Sequence, residues 1–471
     1  MREPSRDNVS ALHDLSAVDM MAGFRARQFS PSEVLDDVLA HVALWEPHIK
    51  ALYAFDPEGA RVVAKQSTGR WQKGEPAGAL DGVPVTIKDN IATKGVPVAM
   101  GTATTKLVPS EVDSPPAARL REAGAVIFSK TTMPDYGMLS SGLSSFHPLT
   151  RNPWDLTKNP GGSSAGAGAG AAAGYGPLHL GTDIGGSVRL PAGWCGIFAL
   201  KPSLGRVPID PPYIGRVAGP MTRTVADAAL MMGILSLPDE SDHMSLPYQA
   251  IDWQDLDREV KGLRLGLLLD AGLGLPVEPE VRDAMTEAAQ RLESAGARVE
   301  PMKPFLTSEM LEGLDRFWRT RALADIAGIP EARRAKLLPF IRAWAEGAEG
   351  ASGMAVFQGF SQVMVMRAAT NAACRPYDYV LAPTAPLPAF AAELPCPTND
   401  PAKPFEHICF TVAFNMSEQP AASINAGYTK SGLPIGLQII GKRFDDLGVL
   451  RLAHRFEELR AKQHPWPEPA G

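Results

Sequence analysis

Residues 161–191 read GGSSAGAGAGAAAGYGPLHLGTDIGGSVRLP. Two glycine turns in this stretch carry serines: Gly161-Gly162-Ser163-Ser164 and Gly185-Gly186-Ser187. Glycine lets a backbone take positive φ and approach a ligand closely, so each turn presents a hydroxyl among bare N–H groups. Residues 164–173 are almost entirely Gly and Ala, which predicts a thin helix packed closely in the crowded centre of a fold. Taken together, the turns suggest a nucleophile and an anion cradle.

Outward from this stretch, helices and strands alternate. Ser30-Pro31-Ser32-Glu33 has the form of a capping box, followed by Val34, Val38, Leu39 and Val42 at helical spacing. A second helix is expected over 57–70. Val83-Pro84-Val85-Thr86-Ile87 and Ala125-Val126-Ile127-Phe128 read as buried strands, the latter after a helical pattern at 115–123. The run TRTVADAALMMGIL at 223–236 opens with a Thr cap and continues as an apolar helix. Residues 237–260 are polar and read as a linker. Strands are expected at 263–269 and 297–299 around an amphipathic helix at 278–295. A mainly helical region follows at about 307–375, then strands at Tyr379-Val380-Leu381 and Leu437-Gln438-Ile439-Ile440 and a last helix at about 445–462. The alternation implies a mostly parallel sheet covered on both faces.

With 471 residues, 45% hydrophobic and 21% charged, the chain has ample length for one large α/β domain or two smaller ones. A net charge of −6 without a basic run gives no electrostatic reason to expect nucleic acid as a partner. The four cysteines, Cys195, Cys374, Cys396 and Cys409, show neither metal-ligand spacing nor a disulfide framework, which suits a reducing cytosol. Charges throughout residues 1–30 leave no signal-peptide apolar core, and no charge-free apolar run reaches the roughly 18–20 residues of a membrane span. The expectation is a soluble, cytoplasmic protein without a membrane partner.

Three residues carry candidate chemistry. Lys88 closes an apolar run, where desolvation would lower its pKa and free a neutral amine as base; the competing reading is a snorkelling lysine paired with Asp89. Ser187, directly after two glycines, sits where converging N–H groups would hold the oxyanion of a tetrahedral intermediate; alternatively it is a turn serine. Ser163 is suited to bridge Lys88 and Ser187, since a hydroxyl both donates and accepts; alternatively it is the N-cap of the Gly/Ala helix. Gly162-Ser163-Ser164-Ala165-Gly166 fits the G-x-S-x-G elbow of α/β-hydrolases, which would make Ser164 the nucleophile, but the preceding residues 152–160 read as a loop and not the required strand. Gly166, Gly168 and Gly170 do not complete a dinucleotide-binding G-x-G-x-x-G. The nine histidines include no metal-binding pair, and His147, His179 and His407 receive no assignment.

The combination of Asp81–Asn90, Asn152-Pro153-Trp154-Asp155, Pro160-Gly161-Gly162-Ser163-Ser164, Gly181–Arg189, Leu200-Lys201-Pro202 and Gly219–Thr224 closely resembles the amidase signature family. The match is strong over about 80–235. It is weaker at 1–70, at Ala382–Pro386 and at Gly432–Gln438, and absent from 300–375. The resemblance implies one α/β domain over 1–471, with a mixed central sheet covered by helices on both faces. Its parts would be N-terminal helices at 1–75, a signature core at 80–235, a variable helical region at about 300–375 and a C-terminal core segment at 376–465. It also implies a Ser-cisSer-Lys triad: Ser187 as nucleophile, Lys88 as base, and Ser163 as bridge, entered through a cis peptide after Gly162. The N–H groups of Ile184, Gly185, Gly186 and Ser187 resemble the family's oxyanion hole, and Gly137 falls where family members contact substrate. Position 165, usually glycine in the family, is Ala165 here, a change that negative φ would accommodate.

The function so implied is hydrolysis of a small-molecule carboxylic amide through an acyl-serine, with no metal or organic cofactor and with a homodimer as the expected assembly. Within the family, the alternative is the glutaminase-type component of a glutamine-dependent tRNA amidotransferase, which requires partner proteins. From other classes, a serine esterase using Ser164 and a non-catalytic binding protein remain as rivals. Pocket shape is expected to depend on 135–147, 300–375 and 390–415.

Overall fold

The computed structural model describes residues 11–469. Among these, eleven strands form one sheet in the order β1 (Leu52–Tyr53), β3 (Val126–Thr131), β2 (Pro84–Lys88), β4 (Leu178–Asp183), β6 (Val217–Thr222), β5 (Phe198–Lys201), β10 (Ala421–Tyr428), β11 (Pro434–Ile440), β9 (Tyr379–Pro383), β7 (Arg264–Leu267) and β8 (Arg298–Pro301). Helices flank this sheet, giving one α/β domain of the architecture that the resemblance implied. The terminal residues 1–10 and 470–471 of the expected 1–471 domain lie outside the described residues.

The expectation of a mostly parallel sheet is corrected. Parallel pairing links β2 to β3 and β4, and β7 to β8 and β9. The other neighbours run antiparallel. The cause lies in the connections: β5 and β6, like β10 and β11, are joined without an intervening helix, and a strand that lacks a crossover returns antiparallel. Those strands escaped the sequence reading because they are fully or largely buried on both faces and rich in Gly, Ala and Pro, as in VAGPMT and AASINAGY, so no alternation marks them.

Most local expectations hold. In the helix Pro31–Ile49, the Ser30 side chain accepts from the Glu33 N–H while Glu33 accepts from the Ser30 N–H, completing the capping box. Such a cap contributes about 1 kcal/mol. Helices Pro57–Lys73, Pro115–Glu122, Val225–Leu235, Pro279–Ser294 and Asp446–Leu459 occupy the expected places. The 307–375 region divides into Ser308–Ala327, Glu331–Arg334, Pro339–Glu346 and Gly353–Cys374. Residues 237–260 contain neither helix nor strand, yet Trp253, Leu256 and Val260 are buried against the core. The segment is a packed strap, not a free linker. No helix of the described residues is long and apolar enough to cross a membrane.

Candidate active site

Strands β2 and β4 are parallel neighbours, so their carboxyl ends bring Lys88 and Asp183 to the same edge of the sheet. Outside such strand ends, loops converge into a crevice. Lys88 is fully buried. Its Nζ lies 2.8 Å from Ser163 Oγ, 3.0 Å from Ser164 Oγ and 3.0 Å from Thr182 Oγ1. Burial pushes the Lys88 ammonium down to about 7; Asp183 and Asp89 oppose this and Arg216 assists it. The snorkelling alternative fails. The Asp89 carboxylate instead accepts from the Ala99 and Gly101 N–H groups and contacts His147 Nε2.

Asn159 shapes the first serine turn, its Oδ1 accepting from the N–H groups of Gly161 and Gly142. The Gly162–Ser163 peptide is cis. Ser163 precedes the helix Ala165–Ala172, whose every residue is buried. A Cβ on Gly166 would stand 2.1 Å from Ala51 O, and one on Gly168 2.7 Å from Pro191 Cβ. This is the crowded centre that the Gly/Ala composition predicted. Ala165 opens the helix and is not among the positive-φ residues, so its methyl is accommodated.

Asp183 and Arg189 hold the second turn. Both are fully buried, with Arg189 Nη2 2.9 Å from Asp183 Oδ1 and Nε 3.0 Å from Oδ2. Burial alone would raise the carboxyl pKa, but the Arg189 charge and hydrogen bonds, with Asn415, hold it far below the ordinary carboxylate range. Asp183 also accepts from the N–H of Gly186 at 2.8 Å and of Val188 at 3.1 Å. This amends the expected oxyanion cradle: the Gly186 N–H is already committed. Among the described residues, the N–H groups of Ile184, Gly185 and Ser187 have no protein acceptor. Gly186 has φ +132, and a Cβ there would meet Thr411 Oγ1 at 2.7 Å, so only glycine suits the position. The two turns are tied directly, the Ser164 N–H donating to Ser187 O at 3.1 Å.

Ser163, Ser187, Ile184, Gly185 and Gly137 line one solvent-open cleft of about 850 Å³. Gly137 has φ +69, and a Cβ there would lie 3.2 Å from Ser163 Oγ. Tyr136, Trp318, Phe405 and Ile408 supply apolar wall, drawn from the three segments expected to shape the pocket. Sequence reading missed Thr182 and Asn90, whose hydroxyl and amide complete the surroundings of Lys88. It also missed the Asp183–Arg189 pair, although their positions on either side of the Gly-Gly-Ser turn were a usable signal.

The rivals fare differently. Ser164 is buried and its hydroxyl donates to Thr182 O while accepting from the Thr182 N–H, so it faces the interior and not the cleft. His179 contacts Thr86 Oγ1 and Gly176 O, and burial pushes its imidazole down to about 4. His407 is buried and stacks on Trp194.

Residues 33–450 match the family described as Amidase. The chain therefore belongs to the amidase signature family. It is 32% identical to an acylamidase of Rhodococcus erythropolis over 97% of both chains. It is also 31% identical to a glutamyl-tRNA(Gln) amidotransferase component, GatA-type, of Alkaliphilus metalliredigens, over 95% of this chain and 96% of the relative. Among solved structures, a bacterial aryl acylamidase of the amidase signature family superposes with a TM-score of 0.88 at 30% identity, covering 96% of this chain and 97% of the other.

Proposed function

We propose that this chain hydrolyses a carboxylic amide through an acyl-serine intermediate, with Ser187 as nucleophile, Ser163 as proton relay and Lys88 as base. The observation that carries the reading is a fully buried Lys88, 2.8 Å from Ser163 Oγ, beneath a cleft that both serines line. A neutral amine has two N–H donors and one lone pair. Ser164 Oγ and Thr182 Oγ1 are placed to accept the two donors, which directs the lone pair at the Ser163 hydroxyl. Ser163 then passes its proton to Lys88 as it takes the proton of Ser187.

The Ser187 oxygen bonds to the amide carbon, and the oxyanion is received by the N–H groups of Ile184, Gly185 and Ser187. As the C–N bond breaks, the proton returns through Ser163 to the leaving nitrogen. Water, deprotonated by the same relay, cleaves the ester and releases the carboxylate. Mass spectrometry tests the reading: an acyl adduct on the peptide containing Ser187 is expected after rapid quenching with an amide substrate. Turnover by Ser187→Ala at the ordinary rate would refute it.

A second reading rests on the likeness to components of glutamyl-tRNA(Gln) amidotransferases. On that reading the same chemistry releases ammonia for a partner. Co-purification with further proteins, together with glutamine hydrolysis only in their presence, would favour it over a free-standing amidase.

A further inference from the structure

The cleft contains two arginines that the amide chemistry leaves unused. Arg216 comes from the loop before β6, and Arg321 from the helix Ser308–Ala327. Both guanidiniums sit against one ring: Cζ of Arg216 is 5.8 Å and Cζ of Arg321 4.2 Å from the centroid of Tyr213. The Tyr213 hydroxyl is buried and has no hydrogen-bond partner among the described residues. Arg216 donates to Pro211 O, and no carboxylate of the described residues pairs with it. Arg321 has one distant contact, 3.5 Å from Asp325 Oδ2.

Two like charges held around one ring repel, and a desolvated guanidinium without a counter-ion is unfavourable. Burial and the neighbouring Arg321 push Arg216 down to about 10, in keeping with an unmet positive charge. The planar forks of both guanidiniums suit a carboxylate, which accepts two parallel N–H donors. The rest of the wall, with Met138, Leu139, Trp318 and Phe405, is apolar. It would seat a hydrocarbon spacer between an anionic end and the amide.

We infer that Arg216 and Arg321 bind a carboxylate carried by the substrate, so that the preferred substrate is an amide with an acidic group at its far end. The inference rests on the amide-hydrolase reading and narrows it to a substrate class. The test compares ω-carboxyalkanamides, from succinamate through adipamate, with neutral isosteres in which an isopropyl group replaces the carboxylate. At one or more chain lengths the wild type is expected to favour the acid in kcat/KM by about tenfold or more, the scale of a charge-assisted hydrogen bond. Arg216→Gln and Arg321→Gln should each collapse that ratio. Equal or better use of the neutral amide at every length overturns the inference while leaving amide hydrolysis intact, as does a ratio that survives in both variants. Should no amide be hydrolysed, calorimetric titration with succinate through adipate reads the site directly. Binding by wild type that is lost in Arg216→Gln then sustains the carboxylate site without the hydrolase, and no binding by wild type overturns it.

Discussion

Asp183 and Arg189 meet face to face across the turn that carries Ser187, both without exposed surface and joined by two hydrogen bonds. Arg189 also donates to Thr411 O, Gln438 Oε1 and Asn415 Oδ1, so the turn is anchored to the segment on the far side of β10. Removing one partner strands the other charge in the interior, which costs about 3–5 kcal/mol. Asp183→Asn is therefore expected to lower the denaturant midpoint by that equivalent and to depress kcat. Equilibrium unfolding in urea checks the first effect, and steady-state kinetics the second.

Ser187→Ala is expected to reduce kcat by roughly four orders of magnitude or more, as when the nucleophile of an acting unit is removed. Ser163→Ala should approach that loss because it interrupts the path from Ser187 to Lys88. Ser164→Ala removes one acceptor from Lys88 but no group from the cleft, and its loss should be smaller than either. Ammonia release from a common amide ranks the three variants.

The acid limb of kcat/KM should titrate near 7, the value to which burial lowers Lys88, with activity rising as pH increases because only the unprotonated amine accepts a proton. The linked stability effect has a definite sign. Lys88 titrates lower in the folded state than its ordinary 10.5, so between those values the unfolded chain binds more protons and stability climbs with pH. Lys88→Met abolishes this contribution. The melting temperature of the variant relative to wild type should thus be higher at pH 7 than at pH 10, which calorimetry at the two values would show.

Gly137→Ala places a methyl carbon 3.2 Å from Ser163 Oγ at a backbone φ of +69. The left-handed backbone costs a non-glycine residue about 1–2 kcal/mol. The displaced hydroxyl should reduce kcat by roughly tenfold or more, since small misplacements at a reacting centre are expensive. A lowered kcat accompanied by a modest fall in melting temperature is the expected pair of results.

The catalytic candidates were legible because glycine marks where a backbone must bend or come close, and Gly161, Gly162, Gly185 and Gly186 bracket both serines. Lys88 was legible as a charge at the end of an apolar strand. Three features were not. The Gly186 N–H is occupied by a carboxylate three residues earlier, a pairing set by turn geometry that spacing does not encode. Strands β6 and β10 lack any alternation because both of their faces are covered. Arg216 and Arg321 stand far apart in the chain, one in a loop and one on a helix of the region without family marks, and only folding brings them to one tyrosine ring.

The floor of the cleft is built largely from main-chain atoms of residues 161–191, packed where even a methyl group meets its neighbours. Its opposite wall comes from Trp318, Arg321 and Phe405, on segments outside that glycine-rich stretch. Bond cleavage and choice of diet are thus housed in separate parts of one chain. A descendant can acquire a new appetite by exchanging side chains along the second part, with no revision of the first.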